Sequence, residues 1–127
     1  MDDISQQWNE RARYDLDTAD AMFKAGRYLY VLFCCQQAVE KALKAVVVLR
    51  TRELPPRVHK LVRLAEVAGV TINERQVDFL RELSAYYIPT RYPEEVADLA
   101  FEVKKEQAQH VLIRSKEFIQ WLRSISQ

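Results

Sequence analysis

A chain of 127 residues with a formal net charge of +1, two Gly and four Pro has the length of one domain, little material for hairpin turns, and no overall field that would mark a nucleic-acid binder. Apolar residues at 49% and charged residues at 29% fit a globular protein, and no apolar run approaches the roughly 18 residues of a membrane span. These features predict one all-α domain over residues 1–127, cytoplasmic and without a membrane segment; the opening MDDISQQWNE is polar and acidic and lacks the apolar core of a targeting peptide.

Breaks at Gly26, at LPPR (54–57) and at YYIPTRYPEE (86–95), with a softer one at AGVTIN (68–73), divide the chain. Helix 1 is predicted from about Asp3 to Ala25. Ile4, Trp8, Ala12, Leu16, Ala19, Met22 and Phe23 fall on one arc of about 120° at helical spacing. Asp15 falls inside that arc, where a carboxylate must be paired or hydrogen-bonded. Arg11, four residues earlier, is a candidate partner.

Helix 2, from about Arg27 to Arg52, contains CCQQAVEKALKAVVVL. Its apolar residues occupy most of the circumference, the pattern of a central helix, while Gln37, Glu40, Lys41 and Lys44 fill a sector about 100° wide. That stripe faces a strip of solvent, a cleft or a second subunit. Gln36 lies outside it and is expected as a hydrogen-bonded core residue. Cys34 and Cys35 point about 100° apart and read as reduced core thiols.

Helix 3 is predicted from Arg57 to Ala68, with His59 in its first turn, and helix 4 from Glu74 to Tyr87, capped by Asn73. In IPTRYP, Pro89 and Pro93 bias Ile88 and Tyr92 towards extended backbone, a stiffened loop that would hold Arg91 in a defined place. Asp15, Glu40 and Arg91 could then join one buried network or line one pocket. Helix 5 runs from about Asp98 to Ser124, with Phe101, Ala108, Val111, Leu112, Phe118, Ile119 and Leu122 on its apolar side. Short connections favour an antiparallel up-and-down bundle of four main helices plus one short helix.

DLDTAD holds three aspartates, but Asp15 and Asp17 diverge by about 200° and the glycine of a calcium loop is missing, so no metal site is expected. No glycine-rich phosphate loop is present and no cofactor is implied. From Lys41 to Arg63 seven basic residues face only Glu53, a local patch able to hold phosphates, or else charges that complement helix ends and solvate helix 3.

The block QQAVEKALKA, then VHKLVRL, then YYIPTRYP and a final FIQWL resemble the small HEPN proteins (higher eukaryotes and prokaryotes nucleotide-binding) over nearly the whole chain. The resemblance implies a helical bundle that dimerises across a polar cleft and pairs with a separate minimal nucleotidyltransferase in toxin–antitoxin-like modules. It places Asp15, Gln37, Glu40, Lys41, Lys44, His59, Arg91 and Tyr92 at the family's recurrent polar positions. The family's RNA-cutting members carry a histidine separated from their arginine by four to six residues; here the positions at that separation from Arg91 are Val96, Ala97 and Asp98. Histidine suits proton transfer near neutral pH, so its absence points to a non-cleaving homodimer that binds a nucleotide or RNA. His59 and Arg91 are the remaining candidates for catalysis, and His110, far along helix 5, reads as a surface histidine. Two alternatives stand beside this: a metal-independent ribonuclease toxin with an atypical site, and a purely structural dimeric module.

Overall fold

The computed structural model describes residues 2–126. Six α-helices succeed one another: α1 (Asp2–Lys24), α2 (Tyr28–Thr51), α3 (Leu61–Ala68), α4 (Glu74–Ser84), α5 (Pro93–Glu102) and α6 (Lys105–Ile125), with a 3-10 turn at Ile88–Thr90. No strand occurs among the described residues.

α2 lies at the centre. Leu32, Val39, Leu43 and Val47 are buried with Gln36, and α1, α3 and α6 pack around them, as the nearly all-round apolar pattern requires. Ser5 Oγ donates to the Ala45 carbonyl of α2 at 3.0 Å, and Lys116 pairs with Asp20 at 2.8 Å to tie α6 to α1.

Both glycines end helices. Gly26 and Gly69 adopt φ of 76° and 69°. Arg27 N–H then reaches the Met22 carbonyl, and Val70 N–H the Ala65 carbonyl, the left-handed stop that glycine takes without a Cβ clash. Asn73 caps α4 in a reciprocal box with Gln76, again as the sequence suggests.

Three boundaries differ from expectation. α3 begins at Leu61, not Arg57: residues 57–60 are non-helical after Pro55–Pro56, with Lys60 extended, and Leu61 N–H is taken by Ser84 Oγ at 3.2 Å. α4 ends at Ser84, three residues early, because the segment leading to Pro89 departs from helical backbone. The last helix is two helices. Val103 and Lys104 are extended, with ψ of 122° and 166°, although neither glycine nor proline stands there. This redirects the chain so that Val103 is buried, whereas Phe101, expected on the apolar side, is 79% exposed. α5 contains no fully buried residue.

Candidate functional site

Val58, half-buried against the core, anchors the non-helical leader of α3, and a tight turn from Val58 N–H to the Pro56 carbonyl at 2.9 Å stiffens it. His59 therefore lies in this leader, not in a helical turn, and its ring reaches down to α2. There Nδ1 stands 3.2 Å from both oxygens of Glu40. Glu40 is 4% exposed. Its carboxylate also accepts from Gln36 Nε2 at 2.9 Å and from Lys44 Nζ at 3.1 Å, and Lys44 lies 5.4 Å over the Trp8 ring. A buried charge is tolerable only with such pairing, which this one has from three sides.

A carboxylate can only accept, so the hydrogen belongs on His59 Nδ1 and leaves Nε2 to the opposite side. Nε2 meets the Tyr87 hydroxyl at 3.1 Å, and the two rings stack with centroids 4.1 Å apart and planes 17° from parallel. Tyr87 sits just beyond α4, where the chain turns into the 3-10 segment.

These two rings open into a cleft of about 570 Å³ lined also by Arg57, Lys60, Ser84, Thr90, Arg91 and Glu95. Arg91 is fixed there. The 3-10 turn closes through Arg91 N–H to the Ile88 carbonyl, and the guanidinium bonds the Ala85 carbonyl beyond the end of α4 and Glu95 at 3.3 Å. Arg57 and Lys60 have no carboxylate partner among the described residues. A smaller hollow of about 240 Å³ between α1, α2 and α6 is mainly apolar and has Arg123 as its cation.

Asp15, Glu40 and Arg91 do not form one network. Asp15 pairs with Lys41 of α2 at 2.6 Å, not with Arg11; Glu40 supports His59; Arg91 belongs to the cleft wall. Gln37 is half-buried and donates to Gln36 at 2.7 Å, which extends the Glu40 network along α2. Lys44 closes that network from within the chain. Tyr92 is 72% exposed at the start of α5 and does not line the cleft. His110 is exposed on α6. Tyr87, which as a tandem tyrosine looks like packing, is the cleft residue that sequence reasoning missed. No residue pattern announced it, since its role depends on where His59 is held.

Burial pushes the Cys34 thiol up to about 11 and that of Cys35 to about 12, so both stay protonated and inert near neutral pH. Neither forms a disulfide. Among the described residues no cluster of His, Cys, Asp and Glu could hold a metal ion, and no helix is long and apolar enough to cross a membrane.

Two solved structures share the architecture. A protein of Thermus thermophilus, TT1696, superposes with a TM-score of 0.80 at 28% identity over 94% of this chain and 96% of its own. ST0689, described as an archaeal HEPN homologue, gives 0.77 at 19% identity over 97% and 98%, which speaks for the fold alone. No curated protein matches the sequence. The family model of the HEPN domain matches residues 5–125, essentially the whole bundle with its central polar network and its basic cleft: the chain belongs to the HEPN domain family.

Proposed function

We propose that the cleft beside His59 binds the phosphate groups of a nucleotide or RNA, in a homodimer that works with a minimal nucleotidyltransferase in a toxin–antitoxin-like module of the cytoplasm. The observation that carries the binding reading is the convergence of Arg57, Lys60 and Arg91 around one cavity of about 570 Å³. Cations gathered on one concave surface hold phosphate oxygens and release counterions. Two of them come from the basic run ahead of α3 and one from the proline-stiffened loop, so residues far apart in sequence serve one site. The homodimer draws support from α5: it has no buried residue, and its Phe101, 79% accessible, leaves an apolar ring for a second copy to cover. The nucleotidyltransferase partner rests on family membership.

Calorimetric titration with short RNA and with mononucleotides tests the binding. Arg91→Ala should weaken it and lower the salt-dependence slope by about one charge. Unchanged titrations would remove the cleft as the site. Sedimentation should give a dimer that Phe101→Ser weakens.

The histidine missing after Arg91 favours binding without cleavage. One observation favours the ribonuclease reading instead: His59 is oriented by a buried carboxylate and faces the same cleft.

A further inference from the structure

The hollow between α1, α2 and α6 lies away from the cleft. Ala42 and Ala45 on its wall stand about 200° and 140° from Glu40 around α2. Ala42, Ala45 and Val46 line it from α2 and Ile119 and Leu122 from α6, enclosing about 240 Å³. The hydroxyls beside it are already committed: Ser5 donates to the Ala45 carbonyl at 3.0 Å and Ser126 to the Leu122 carbonyl. The interior therefore offers water little to bond and favours an apolar occupant, which would restore the dispersion contacts that an empty space forfeits.

Its mouth has the opposite character. Asn9 and Arg123 stand where the hollow meets a polar depression lined also by Gln6, Glu10 and Arg13. Neither Arg13 nor Arg123 pairs with a carboxylate among the described residues. Glu10 is engaged by Gln6 Nε2 at 3.4 Å instead. Arg123 is half-buried, and burial together with the like charge of Arg13 lowers its hold on its proton. An anion between the two guanidiniums would relieve both effects.

We infer that this hollow is a second binding site, for a small amphiphilic carboxylate whose apolar tail enters between α2 and α6 while its head meets Arg123 and Arg13. An apolar cavity of about 150 Å³ takes benzene, so about 240 Å³ has room for a six-carbon chain or a phenyl ring with a short linker. The planar guanidinium matches a carboxylate with two parallel hydrogen bonds. Tail and head then each find what the wall and the mouth lack. Because the ligand touches α1, α2 and α6 together, its binding also favours the folded bundle.

The test titrates the full chain with hexanoate and 3-phenylpropionate, with acetate and hexanamide as controls, and follows backbone amide shifts by NMR. The expected result is saturable binding of both acids that shifts Ala42, Ala45 and Leu122, about tenfold or more tighter than acetate or hexanamide. Arg123→Gln should weaken hexanoate about tenfold or more with thermal melting of the free protein unchanged. Ala45→Met, which fills the hollow, should leave hexanoate no tighter than acetate. Absence of saturable binding by either acid overturns the site. Hexanamide binding as tightly as hexanoate, or binding that Arg123→Gln leaves intact, overturns the recognition of the anion and the proposal with it. The comparison of hexanoate with acetate and hexanamide uses the native chain, so the outcome does not depend on whether Ala45→Met folds. None of these substitutions touches the cleft beside His59, and either result stands apart from RNA binding there.

Discussion

Two carboxylates on the central helix pair do different work. Asp15 meets Lys41 where both side chains keep contact with water, 18% and 24% exposed, whereas Glu40 and its Lys44 are 5% and 9% exposed. The first pair is screened and holds α1 against α2 at modest energy. The second is enclosed, so its charges are committed to each other, to Gln36 and to His59. Depth thus separates a packing contact from a device that sets the tautomer of a histidine, though both pairs join a lysine of α2 to an acid.

The largest break in that comparison should come from Glu40→Ala. It leaves the Lys44 ammonium buried without its acid, and urea unfolding should register a loss of about 3–5 kcal/mol. Asp15→Ala should cost about 1 kcal/mol or less, and added salt should shrink that difference while leaving the Glu40 effect nearly intact. An Asp15 effect as large as that of Glu40 would mean that depth does not divide them. The smallest effect concerns Cys34, one turn before Ala38 on the same helix. With both thiols raised well above neutral pH by burial, a thiol-reactive probe at pH 8 should label the native protein slowly and the urea-unfolded chain fast. The same shifts fix a sign: the thiols favour the folded state fully below the ordinary thiol range, and that contribution is lost as pH climbs from about 9 towards 11–12.

The features legible in the sequence obey local rules. The Gly26 and Gly69 stops, the Asn73 cap and the centrality of α2 each have a short-range signal, and the polar stripe of Gln37, Glu40, Lys41 and Lys44 is visible on a helical wheel. The features that were not legible depend on long-range placement. Nothing near Asp15 distinguishes Lys41, 26 residues on, from Arg11 as its partner. The α5–α6 break has no glycine or proline to announce it, and is set by burial of Val103. Tyr87 gains its meaning only because His59, 28 residues earlier, stands in a non-helical leader. The family pattern directs attention to the residues on the C-terminal side of Arg91; here the His59–Tyr87 pair lies on its N-terminal side.

α5 lends the cleft a property that static distances do not express. A helix that buries none of its side chains fully contributes little to global stability, and such an element opens by local fluctuation while the rest of the bundle stays folded. Its amides should therefore exchange with deuterium well before those of α2. Because Glu95, one of two partners of the Arg91 guanidinium, travels with it, Arg91 loses that restraint in the same excursion. Ligand entry and exit then need no unfolding of the core, and a ligand bridging Arg91 to the leader of α3 should slow exchange in α5 alone.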